Sequence, residues 1–146
     1  MTKIKKIIYF HPVSLLLLLL MLQALLLNGC AVVAPVEERT PSSPAAALLA
    51  EAEESLQAED YSRAELQVER ALRVEPRNGR AWHLMAQIRY GQGDYGQTVQ
   101  FCLKSNTLAD NDRNLSRQNW KLLEKAYTGM GETSKAEEAR QKAAAL

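Results

Sequence analysis

Cysteine and histidine are scarce in this sequence, with two of each among 146 residues. Two cysteines make no disulfide framework, and the set is too small for a four-ligand zinc site or for most triad chemistry. Aromatic residues are 6% of the chain, too few for a platform on which single-stranded bases stack. No charge of one sign dominates: 18 Lys and Arg stand against 17 Asp and Glu, a net charge of +1. A dominant nucleic-acid footprint needs clustered positive charge. There is no glycine-rich phosphate loop and no pair of carboxylates placed for acid–base work. The expectation is a chain that is not an enzyme and that takes no metal, no cofactor and no nucleic acid.

What is present begins with a targeting segment. Lys3, Lys5 and Lys6 form a basic start, and an apolar run follows from Val13 to Leu27. As a helix that run spans about 22 Å, short of the ~30 Å bilayer core, so it reads as a secretory signal rather than a membrane span. It ends in Leu27-Asn28-Gly29-Cys30. This tetrad resembles the bacterial lipobox, in which a small residue precedes a cysteine whose thiol is acylated. The resemblance implies cleavage before Cys30, a lipid anchor on it and, with Ala31 rather than Asp following, carriage to the outer membrane of a Gram-negative envelope. The acyl chains would then hold the protein to the membrane, facing the periplasm. The mature chain would be Cys30 to Leu146, 117 residues, with charge 15 − 17 = −2. Residues 31–44, AVVAPVEERTPSSP, read as a flexible linker that reaches at most about 50 Å.

From Ala45 onward Ala, Leu, Glu, Gln, Lys and Arg dominate and the pattern turns helical. The chain then repeats itself. Asp60-Tyr61 returns as Asp94-Tyr95, an interval of 34, and the same register pairs Ala52 with Ala86 and Leu48 with Trp82. This resembles the tetratricopeptide repeat, a 34-residue helix-turn-helix unit. The first unit, 45–78, shows Leu48, Ala52, Tyr61, Ala64, Val68, Ala71, Leu72 and Pro76. Glu51 stands where the repeat has Leu, as suits a terminal unit with no neighbour before it. The second, 79–112, shows Trp82, Met85, Ala86, Tyr95, Val99 and Cys102. The third, 117–146, begins with Trp120, Leu123 and Tyr127 and continues with Gly131, Ala136, Ala139 and Ala143. Trp82 and Trp120 are 38 apart, so four residues are inserted before the third unit. The fold class expected is all-α: a signal peptide over 1–29, a lipidated Cys30 and linker over 30–44, then a short solenoid of about three helical hairpins over 45–146. Single hairpins cannot bury their apolar faces, so they must stack.

In this repeat the concave face is lined by the first helix of each unit. The resemblance puts Arg80, His83, Gln87 and Tyr90 there from unit two, and Gln118, Lys121 and Lys125 from unit three, with Leu49 and Leu56 adding an apolar end. Spacings of three and four place each set on one stripe. Such a stripe fits a partner groove, where Arg80, Lys121 and Lys125 would pair with carboxylates. Trp82, Leu84, Met85 and Ile88 fall on the other sides of their helix and are expected to be buried. His83 reads as a groove contact or surface residue, without the company that catalysis needs. Cys102 reads as a buried structural thiol. Asp110-Asn111-Asp112-Arg113-Asn114 opens like a calcium loop, but Leu115 replaces its Gly and Lys121 its Glu, so it reads as a turn with a helix N-cap.

Arg73-Val74-Glu75-Pro76-Arg77-Asn78 with Trp82, Lys104-Ser105-Asn106 with Leu108-Ala109, and Asn119-Trp120 give a closer likeness. With the lipobox and linker, the chain resembles the LpoP-type lipoprotein activators of bifunctional class A penicillin-binding proteins. The resemblance implies an envelope-protein partner of that class, bound in the periplasm and stimulated in peptidoglycan synthesis. The alternative is a pilotin-like or envelope-assembly scaffold lipoprotein serving a secretin or pilus component.

Overall fold

The structure, a computed structural model, describes residues 43–146. The signal segment, Cys30 and the linker up to residue 42 lie outside the described residues. Six helices and no strand are found in the described part: α1 (Pro44–Gln57), α2 (Tyr61–Val74), α3 (Gly79–Gly91), α4 (Tyr95–Leu108), α5 (Arg113–Gly129) and α6 (Thr133–Ala144). They pair as three antiparallel hairpins, α1–α2, α3–α4 and α5–α6, the tetratricopeptide arrangement. None of these helices is long and apolar enough to cross a membrane.

The helix starts are written in the sequence. Ser43, Asp60, Asn78, Asp94 and Asp112 each stand at an N-cap and accept a hydrogen bond from the backbone N–H three residues on, at 2.9–3.1 Å. Each such cap contributes about 1 kcal/mol. Glu132 occupies the equivalent place before α6 and makes no side-chain cap bond. The residue before the cap within each hairpin turns left-handed: Glu59 at φ 56°, Gly93 at 78° and Gly131 at 75°. Glycine reaches that region freely, whereas Glu59 holds a Cβ against its own backbone there.

Two close approaches lock hairpin to hairpin. A Cβ on Gly91 would lie 2.6 Å from Tyr61 Cζ, and one on Gly129 would lie 2.6 Å from Tyr95 Cε2. The tyrosines that open α2 and α4 thus each seat on the glycine that closes the next first helix. Leu49, Val68, Leu84, Met85 and Ile88 fill the core between hairpins one and two. Ala86, Cys102, Leu122, Leu123 and Ala139 fill the core between two and three, and Phe101 packs on both. First helices touch one another along the stack, α1 to α3 and α3 to α5, whereas α2, α4 and α6 do not. The first helices therefore line the inner side.

Three expectations change. Leu49 is 3% exposed and belongs to the core rather than to an apolar groove end, because α3 packs over it. Trp82 is half-buried: its indole N–H donates to the Pro76 carbonyl (3.1 Å) and its ring leans on Phe101 at 5.6 Å, leaving one edge in solvent. The four inserted residues are helical, making α5 17 residues long against 13 for α3. Leu84, Met85, Ile88 and Cys102 are buried as expected.

Replacing Glu59 by Gly should relieve the left-handed strain and raise stability by about 0.5–1 kcal/mol, net of the extra freedom glycine has when unfolded. Thermal unfolding of the variant should show a midpoint higher by a few degrees, and an unchanged or lower midpoint would refute the strain.

Candidate functional site

The inner side carries a hollow of about 400 Å³ walled by all three first helices. α1 supplies Glu53, Leu56 and Gln57, α3 supplies Arg80, His83, Leu84 and Gln87, and the start of α5 supplies Asp112, Asn114, Leu115 and Gln118. The extra turn of α5 thus builds one wall. Gly79 lets that wall close, because a Cβ there would come 3.2 Å from both Leu115 Cδ2 and the Leu108 carbonyl oxygen. Four carboxamides, Gln57, Gln87, Asn114 and Gln118, line the hollow. Each offers both donors and an acceptor, the complement of an unpaired peptide backbone.

The residues expected in one groove divide among three places. Arg80, His83, Gln87, Gln118 and Leu56 share the hollow. Tyr90 and Lys125 lie together in a shallower depression with Glu124, and the Tyr90 ring stands 5.6 Å from that of Tyr95. Lys121 faces a third hollow between α5 and α6, with Arg117 and Arg140. Arg80 is already engaged: its Nε donates to Glu53 Oε1 at 3.0 Å, so its charge is not spare for a partner carboxylate. Arg113, Arg117, Lys121 and Lys125 follow one another every fourth residue along α5, and none pairs with an Asp or Glu side chain among the described residues. Each like-charged pair at that spacing costs a few tenths of a kcal/mol.

His83 differs most from the sequence expectation. It is 5% exposed, a floor residue rather than a projecting contact. Asn119, fully buried, donates from Nδ2 to Ser105 Oγ (2.7 Å) and to Asn106 Oδ1 (2.9 Å). Its Oδ1 must therefore accept, so His83 Nδ1, 2.6 Å away, carries the proton and donates. Ser105 Oγ donates in turn to the Gly79 carbonyl oxygen at 2.8 Å. This chain ties α3, α4 and α5 together. Burial pushes the imidazole below its ordinary value of 6.5. The bond to Asn119 opposes that shift, Arg80 adds to it, and Glu53 opposes it again. Burial alone pushes the Cys102 thiol up to about 12, so that thiol is inert.

Asn119 and Ser105 were absent from the candidates drawn from sequence. The signal was in the repeat register. One unit earlier, the place of Ser105 is held by Ala71 and that of Asn119 by Ala81, an all-alanine contact in the preceding interface. Among the described residues no cluster of His, Cys, Asp and Glu is placed to hold a metal ion.

No family model and no curated protein matches the chain. Among solved structures, the globular C-terminal domain of LpoP from P. aeruginosa does, with a TM-score of 0.66. The two are 32% identical over a match covering 69% of this chain and 95% of that domain. The chain belongs to the LpoP family. The likeness takes in nearly the whole LpoP domain and agrees with the stack of hairpins described above.

Two outcomes test the buried network of this LpoP-family domain. Asn119→Ala leaves His83 and Ser105 short of partners and opens a small void, and should cost about 2–4 kcal/mol in urea unfolding. A loss under about 0.5 kcal/mol would mean that the network is not closed in solution. The second concerns pH. The folded state holds His83 neutral below 6.5 while the unfolded chain takes up the proton there, so stability falls as pH drops from 6.5 toward the lower folded value. The slope should reach at most about 1.4 kcal/mol per pH unit. His83→Gln should flatten it, and an equal slope in that variant would assign the effect to other groups.

Proposed function

We propose that this protein is a periplasm-facing lipoprotein, anchored through Cys30 to the outer membrane, that binds a bifunctional class A penicillin-binding protein and raises its activity. The observation that carries the reading is the match to the LpoP C-terminal domain at 32% identity over 95% of that domain. The LpoP-type resemblance implies such a partner, and the lipobox and linker before the domain fit it.

The mechanism is binding alone. An activator without reacting groups must hold the active state of the synthase more tightly than the inactive one. A tenfold activation needs a difference of only about 1.4 kcal/mol between the two states, the work of one or two good contacts. The inner hollow supplies a suitable surface. Its carboxamides and the Arg80–Glu53 pair sit on three packed helices, two of which, α3 and α5, are tied by the buried network, so little order remains to be lost on binding there.

The test is in-cell crosslinking of tagged full-length protein, with mass spectrometry of what is captured, followed by a glycan-polymerisation assay with the captured synthase. Recovery of a class A penicillin-binding protein and a several-fold faster polymerisation are expected. Recovery of a secretin or pilus component without any synthase would overturn the reading in favour of an assembly scaffold.

A further inference from the structure

The hollow on the far side of the third hairpin is, residue for residue, the next copy of the seat that holds α5. That seat is made by the second hairpin. Gly79 admits Leu115, His83, Ser105 and Asn106 hold Asn119, and Cys102 packs with Leu122 and Leu123. Hairpins two and three are related by the interval of 38 that separates Trp82 from Trp120. Moving Gly79, His83, Cys102, Ser105, Asn106 and Leu108 forward by 38 gives Arg117, Lys121, Arg140, Ala143, Ala144 and Leu146. These six, with Glu124, line one hollow of about 530 Å³. No helix among the described residues fills it.

We propose that this groove is a docking seat for an acidic amphipathic helix supplied by another protein, which would stack on α5 and α6 as α5 stacks on α3 and α4. The repeat geometry dictates a helix, because the same backbone arrangement one unit earlier already holds one. Side chains dictate its character. The floor is small and apolar at Ala143, Ala144 and Leu146, so the partner must bring the bulk. Lys121 stands on the rim without an Asp or Glu partner, and Arg117 Nη2 donates to a main-chain oxygen of Leu146 at 3.1 Å. The nearest acids of α6 are taken, Glu137 by Arg140 and Glu138 by Lys142. Glu124 is the one acid in the lining, against Arg117, Lys121 and Arg140, so the basic rim is left in excess for acids from outside.

A second copy of this chain would fit poorly. Its first described helix is α1, whose positions one repeat register back from Ala81, Leu84, Met85 and Ile88, uncovered by any other described helix, are Ala47, Ala50, Glu51 and Glu54. That face is acidic but has only alanine to bury, and Glu51 already accepts from Gln67 at 2.7 Å. Such a head-to-tail contact would not close on itself either.

The probe is a synthetic helix of the length of α5, with leucines in the register of Leu115, Leu122 and Leu123 and glutamates along both flanks. Its control carries lysines in place of the glutamates. Binding to the full-length protein in detergent is followed by fluorescence anisotropy. The acidic helix should bind, more weakly as salt rises, and the lysine helix should not. Lys121→Glu, on an exposed side chain, and Ala144→Arg, which fills the exposed floor, should each weaken binding about tenfold without moving the thermal midpoint. No binding by the acidic helix, equal binding by the lysine helix, or binding indifferent to both variants would overturn the proposal. Self-association of the full chain that Lys121→Glu abolishes would overturn it too, by making a second copy the occupant. No synthase enters this measurement, so failure of the synthase reading leaves it standing.

Discussion

A helical hairpin of this kind buries only part of itself, and everything else in the domain follows from how the next hairpin is received. The receiving surface works because backbone meets side chain without an intervening Cβ. Tyr61 lies on Gly91, Tyr95 lies on Gly129, and Leu115 enters beside Gly79. These contacts fix the axial position of each first helix against the hairpin before it. Once that position is set, the first helices are adjacent, the second helices splay apart, and a hollow opens on the inner side. Hydrophobic burial drives the stacking, but glycine sets its register.

The second interface adds a constraint the first one lacks. Where hairpins one and two meet through Ala71 and Ala81, hairpins two and three meet through Ser105 and Asn119. Alanine against alanine is indifferent to small slips, whereas a buried carboxamide that must find three partners at once tolerates none. The polar contact gains little net stability over a well-packed apolar one. What it gives is a single orientation for α5, and with it a fixed wall for the hollow. His83 shares in that role, since its ring is held by the same oxygen that would otherwise be orphaned.

The architecture was legible in the sequence because its signals are local or periodic. Recurrence of Asp-Tyr at an interval of 34 marked the unit, a capping turn before Leu115 marked the start of α5, and the interval from Trp82 to Trp120 marked the insertion. The site was only partly legible. A histidine on a polar stripe looks the same whether it meets solvent or an asparagine 36 residues away, and only the fold brings Asn119 to it. Leu49 and Lys121 occupy one repeat position, yet one is buried and the other exposed. The difference is the presence of a following hairpin, which periodicity alone does not weigh.

Departures from the repeat gather on one element. α5 has the additional turn, the buried asparagine and the row of cations from Arg113 to Lys125. The other first helices, α1 and α3, lack all three. Stacking needs none of these features: a 13-residue helix with Ala81 and Ala86 inside and only Arg80 and Arg89 charged already serves at α3. The like-charged row even opposes helix stability. Features that packing does not require, and in part resists, point to a different demand on the helix that carries them. The working surface proposed for this LpoP-family domain accordingly lies around α5, with the hollow on its inner side and the proposed seat on its far side.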